Sequence, residues 1–118
     1  MSTITEIQNW FQEQCDDDWE HSYGIKIETC DNPGWSVRID IIGTALENKS
    51  FETISKNIPP TLMDQALGLI KEPYICAEPN FSDDWLMCYI KNQEFNGAGD
   101  PKKLEEILRI FLNWAKAD

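Results

Sequence analysis

From Tyr23 to Ile41 apolar residues recur at every second position on either side of a Pro-Gly pair, and this pattern constrains the fold more than any other part of the chain. Tyr23, Ile25, Ile27 and Thr29 alternate with Gly24, Lys26, Glu28 and Cys30; beyond the turn, Trp35, Val37, Ile39 and Ile41 alternate with Ser36, Arg38 and Asp40. Two period-two runs joined by a short turn predict an antiparallel hairpin with one buried face. Pairing Asp31 with Trp35 leaves the loop Asn32-Pro33-Gly34, with proline pre-set for a turn and glycine free to become left-handed. That register opposes Glu28 to Arg38 and Lys26 to Asp40, whereas pairing Cys30 with Gly34 would oppose Lys26 to Arg38. Cross-strand charge complementarity therefore favours the first register.

A hairpin with one apolar face needs cover, and both ends of the chain offer it. Thr3-Ile4-Thr5-Glu6 fits a capping box, followed by a helical stripe of Ile4, Ile7, Phe11 and either Gln14 or Cys15, with Trp10 flanking it. Three successive aspartates, Asp16, Asp17 and Asp18, should end that helix, because anions repel the negative end of the helix dipole. Near the C-terminus, Asp100-Pro101 reads as a cap and first-turn proline, with Leu104, Ile107, Leu108, Phe111, Trp114 and Ala115 on one stripe. Lys102 and Lys103 sit against the dipole there, which pairing with a neighbouring acidic loop would explain.

Between these parts, Ser50 to Lys56 predicts a weaker third strand, and Thr61 to Lys71 a short helix in a proline-rich stretch. Asp84 to Lys91 shows no alternation and fits a central strand covered on both faces, while Asn92 to Gly99 fits a turn with a short return strand. The expected architecture is α+β: an N-terminal helix, an antiparallel sheet of about four strands, and a C-terminal helix packed on the sheet. At 118 residues this is a single domain, 1–118.

Composition narrows the function. A net charge of −11 and a pI near 4.4 exclude a phosphate-binding surface and point to a basic partner protein, not nucleic acid. No run has the length of a membrane span and the N-terminus lacks a signal-peptide pattern, so a cytoplasmic protein without membrane attachment is expected. Cys15, Cys30, Cys76 and Cys88 form no C-x-x-C pair and read as buried thiols in a reducing compartment.

Chemistry or recognition should concentrate at Gln14 to Tyr23, which gathers Asp16, Asp17, Asp18, Glu20, the only histidine, His21, and the aromatics Trp19 and Tyr23. A Glu20/His21 base in a small hydrolase or ligand-binding domain is one reading. Against it, one histidine does not make a zinc site, the acid spacing is not that of an EF-hand, and phosphate-cradling or nucleophile motifs are absent. No enzyme activity, metal or cofactor is expected. The charge is also uneven: residues 1–34 hold eight acids against Lys26 alone. Aromatics interleaved with that charge have the composition of a protein interface with a steering field. Trp35, on the apolar hairpin face, is better read as core; Trp19 fits either role.

These same residues carry a resemblance. Trp10-Phe11-Gln12, Gln14-Cys15-Asp16, Asp18-Trp19-Glu20-His21, Tyr23 to Thr29 and Asp31-Asn32-Pro33-Gly34-Trp35 resemble the signature of the immunity protein 53 family of bacterial polymorphic toxin systems. Asp84-Trp85, Phe95-x-Gly97-x-Gly99-Asp100-Pro101 and Leu104-x-x-Ile107-Leu108 resemble its second block. The resemblance implies a non-enzymatic cytosolic inhibitor that binds a cognate toxin. Joined to the charge pattern, it predicts a basic toxin domain, such as a nuclease, contacted through Asp16, Asp17, Asp18, Trp19, Glu20, His21 and Tyr23, by a monomer or weak homodimer.

Overall fold

The computed structural model describes residues 2–30, 33–58 and 84–117. The expected helix between Thr61 and Lys71 lies outside them. Helix α1 (Thr3–Gln14) leads through one helical turn, α2 (Trp19–Ser22), to strands β1 (Ile25–Cys30) and β2 (Gly34–Asp40). Strands β3 (Ile54–Lys56), β4 (Leu86–Lys91) and β5 (Glu94–Gly99) follow, and helix α3 (Leu104–Lys116) closes the chain. Among the described residues the sheet has five antiparallel strands in the order β1-β2-β5-β4-β3, one more than expected. The α+β architecture is as expected, with α3 packed on the sheet and α1 packed against α3.

The hairpin forms, but in the other register: Cys30 pairs with Gly34, Glu28 with Ser36 and Lys26 with Arg38. Gly34 belongs to the strand and not the loop, because β5 passes close by; a Cβ at Gly34 would stand 2.5 Å from the Gly99 carbonyl oxygen. Charge complementarity is met on the diagonal, where Arg38 Nη2 reaches Glu28 Oε1 at 3.3 Å. Asp40 instead accepts the amide of Gly24 at 3.0 Å.

Strand β4 is covered on both faces as expected. Leu86 and Cys88 enter the main core with Val37, Ile39, Phe95 and Phe111, while Met87 and Tyr89 join Trp85 and Ala98 on the opposite face. It is not central, however: β5, expected only as a short return strand, holds the middle. Its small residues explain both the weak sequence signal and the position. A Cβ at Gly97 would stand 2.4 Å from Ile107 Cγ2, so glycine lets α3 lie directly on the sheet.

Both helix starts differ from expectation. Ser2, not Thr3, caps α1, its Oγ accepting the Thr5 amide at 3.1 Å. Thr3 and Glu6 turn to α3: Thr3 Oγ1 donates to Glu105 Oε2 at 3.1 Å, and Arg109 donates to Thr3 Oγ1 and to both Glu6 oxygens. With Lys116 also paired to it, the Glu6 carboxyl is held down at about 2. Helix α3 begins at Leu104, after a turn built on Asp100. The nearly inaccessible Asp100 carboxylate accepts the Trp85 amide at 3.0 Å and the Lys102 amide at 2.8 Å, and pairs with Lys103 Nζ at 2.6 Å. Lys103 also reaches Asp84 at 2.5 Å, so the lysine set against the dipole is indeed bound to acids, and its ammonium is stabilised in the charged form.

Phe51 lies before the short β3, its ring against Phe95 and Trp114. Cys88 is a buried thiol pushed up to about 12 by desolvation, Cys15 is exposed, and Cys30 is held in a disulfide; among the described cysteines only Cys88 is the buried free thiol expected, and Cys76 lies outside the described residues.

Candidate functional site

Helix α1 ends at Gln14, and the next residues form a turn that binds its own backbone. Asp16 Oδ1 accepts the amides of Asp18 at 3.0 Å and Trp19 at 2.8 Å. In return, Glu20 Oε1 accepts the Asp16 amide at 2.9 Å and Oε2 the Asp17 amide at 2.8 Å. These bonds favour the charged forms: the carboxyls of Asp16 and Glu20 are both lowered, chiefly by backbone donors. Asp17 takes a left-handed conformation, φ 71°, where the chain reverses. Asp16 thus serves the N-terminal side of α2 rather than opposing the end of α1.

Trp19 anchors this turn. It is 6% exposed, its Nε1 donates to the Ile42 carbonyl at 2.8 Å, and its ring meets Trp10 edge-on at 6.1 Å between centroids. Gly43, at φ 76°, closes over it; a Cβ there would stand 3.3 Å from Trp19 Cδ1. Of the two roles open to Trp19, core packing is the one it fills. Phe11 and Tyr23 flank the same ring at 6.1 and 6.2 Å and remain partly exposed, 37% and 39%.

The expected site residues therefore divide. Asp16 and Glu20 are tied to backbone amides and Trp19 is buried beneath them. Asp17, Asp18, His21 and Tyr23 present their side chains to solvent. A carboxylate that holds two amides and is shifted toward the anion is poorly suited to general-base work, which needs a pKa near the working pH. No group of three or more metal-ligating side chains occurs among the described residues. A cavity of about 180 Å³, lined by Ser2, Thr3, Ile4, Leu104, Glu105 and Leu108, lies between α1 and α3 and includes none of the acidic turn.

Sequence reasoning missed one feature of this end of the molecule. The period-two pattern predicts a hairpin with one buried face, but among the described residues β1 is the sheet edge and is exposed from Lys26 to Thr29, with Ile27 41% exposed. A single strand carries no signal of which neighbours it lacks.

The geometry defines a small α+β domain in which a hydrogen-bonded acidic turn leads into β1, the edge of the sheet among the described residues. No helix among the described residues is long and apolar enough to cross a membrane. The chain belongs to the immunity protein 53 family, whose sequence model matches residues 4–116, nearly its whole length. The family implies an immunity role and a cognate toxin as partner. No curated protein and no solved structure gives a match.

Proposed function

We propose that this protein neutralises its cognate toxin stoichiometrically and without catalysis, by covering a basic toxin surface with the segment from Asp16 to Tyr23. The observation that carries the reading is the acidic turn itself: four carboxylates and two aromatics within eight residues, held by backbone bonds and by Trp19. Asp17 and Asp18 supply free charge, Tyr23 supplies apolar contact, and His21 adds a polar rim. Asp16, Glu20 and Trp19 act by fixing the turn. Carboxylates so placed can stand where a nucleic-acid substrate would put its phosphates, and their field accelerates association.

The test is co-expression with the adjoining toxin domain, joined to association kinetics. Wild-type protein restores growth, and reversing Asp17 and Asp18 to lysine slows association about tenfold or more at low salt, with the difference shrinking as salt screens the charges. Those two positions are chosen because neither carboxylate holds a backbone amide in the turn. Unchanged growth rescue and unchanged association rate in the reversed protein would move the interface elsewhere.

A further inference from the structure

The open edge of β1 has a definite hydrogen-bonding pattern. The Asp40 amide donates to the Gly24 carbonyl at 3.1 Å, which makes Gly24 and Asp40 a hydrogen-bonded pair. Alternation along an antiparallel ladder then makes Lys26/Arg38, Glu28/Ser36 and Cys30/Gly34 the bonded pairs too. Ile25, Ile27 and Thr29 consequently turn both N–H and C=O away from β2, toward the edge. Among the described residues no strand lies beyond β1, and Lys26, Ile27, Glu28 and Thr29 are all exposed.

Edges of this kind are ordinarily blunted by brevity, charged side chains, proline, a bulge or an inward-pointing charge; here the charges, Lys26 and Glu28, alternate with the apolar residues and lie on the face away from Ile25 and Ile27. The six residues of β1 include no proline and pair in unbroken register with β2. Their side chains are segregated. Ile25, Ile27 and Thr29 point to the helix side, where Ile25 packs against the core and Ile27 is left 41% exposed beyond it. Tyr23 continues the same face in extended conformation. The strand emerges directly from the acidic turn.

We propose that the edge of β1 is the docking rail for the toxin: an extended, basic segment of the toxin adds a sixth strand beside β1, bonded to the main chain of Ile25, Ile27 and Thr29. This rests on the toxin-binding reading above and specifies its geometry. Main-chain bonds supply affinity in strand addition, and side chains on alternate positions supply selectivity. Ile27 and Tyr23 take apolar residues of the incoming strand, and the acidic turn takes lysines or arginines. The charge identifies the occupant: the adjoining turn presents the exposed carboxylates of Asp17 and Asp18, so a basic strand is attracted to this end of β1 while a second copy of the chain, also at net −11, is repelled.

Amide hydrogen exchange on the full chain, alone and with the cognate toxin domain, tests this without any substitution. The amides of Ile25, Ile27 and Thr29 exchange rapidly in the free protein and slow at least about tenfold in the complex, whereas those of Lys26 and Glu28 are already protected by β2. A second arm uses Ile27→Pro against Ile27→Ala. Proline at an edge position whose N–H faces solvent leaves the inner ladder intact, so both variants unfold at similar temperatures while Ile27→Pro loses at least about tenfold more affinity, a difference of about 1.4 kcal/mol. A complex that forms normally with those three amides still exchanging freely overturns the strand pairing and leaves the toxin-binding reading standing. Amides protected in the isolated protein and released on dilution would make the occupant a second copy, which also overturns it. Failure of the wild-type protein to bind or rescue defeats the toxin-binding reading itself, and this inference with it.

Discussion

Gly97 is the position where the packing of this fold can be tested most directly. It lies in β5, opposite Val37 on one side and Cys88 on the other, with α3 above. A Cβ there would stand 2.4 Å from Ile107 Cγ2, 3.3 Å from Phe95 Cε2 and 3.6 Å from Cys88 Sγ. Carbon atoms pack best at about 3.5–4.0 Å, so Ile107 must retreat by roughly 1 Å. Ile107 and Phe95 are both fully buried, so neither can relieve the contact by turning into solvent. Overpacking of this kind costs about 1–3 kcal/mol. Replacing glycine also stiffens the unfolded chain, which offsets about 0.4–1 kcal/mol where the backbone conformation is compatible; Gly97 is not left-handed, so this offset applies. Gly97→Ala should therefore lose about 1–2 kcal/mol net. At this chain length that is a fall in melting temperature of roughly 3–6 °C per kcal/mol. The decisive assay is a double-mutant cycle by urea unfolding. Ile107→Ala alone costs about 2–5 kcal/mol through the cavity it leaves, but it also removes the methyl that clashes. The double variant should thus be more stable than the sum of the singles by about 1 kcal/mol or more. Additive losses, or a Gly97→Ala protein with an unchanged midpoint, would refute the close-approach explanation of this glycine.

Two further outcomes concern the turn and the helix pair. Trp19→Phe keeps most of the ring packing but strands the Ile42 carbonyl that accepts Nε1–H at 2.8 Å; a loss of about 1–3 kcal/mol is expected by urea unfolding, and an unchanged midpoint would show that the bond does not hold the turn. For pH, the Glu6 carboxyl falls from 4.5 to about 2 through Arg109 and Lys116, and Asp16, Glu20, Asp84 and Asp100 shift in the same direction. A lowered carboxyl contributes stability that is present above its unfolded pKa and lost as pH falls through the folded one. The urea midpoint should accordingly decline below about pH 4.5 and keep declining toward about pH 2, and Arg109→Met should make that decline shallower. Glu94, whose carboxyl is raised by burial, works in the opposite sense and lessens the slope. An acid branch equally steep in Arg109→Met would remove Glu6 from the account.

Much of the fold was legible because its periodicities are strong. The alternation from Tyr23 to Ile41 located both strands of the hairpin, and the stripe from Leu104 to Ala115 located α3. What misled was the assumption that each local signal is answered locally. Directly opposed charges favour one hairpin register, yet Arg38 reaches Glu28 diagonally, and the approach of Gly34 to Gly99, distant in sequence, puts Gly34 in the strand. Thr3 and Glu6 had the spacing of a capping box but serve α3, because Arg109 offers a stronger partner than a free amide. Central strand β5 was underrated since its glycines, the reason it can hold the centre, also erase its alternation. At the site, composition located the acidic turn, while the division between bound and free carboxylates depends on hydrogen bonds that no spacing rule specifies.

That division bears on how a small acidic protein can recognise anything selectively. A flexible run of aspartates would attract every basic surface about equally and would have to be ordered on binding. Here Asp16 and Glu20 use their charge on four amide bonds of the same turn, and Trp19 fastens it to the turn that follows β2. Ordering is thus completed during folding, not during association, which removes an entropic cost from binding. The negative field becomes directional, set beside a strand whose open amides lie at fixed positions. On the reading proposed above, long-range charge brings a basic partner to this end of the molecule, and the spacing of the edge of β1 selects which partner remains.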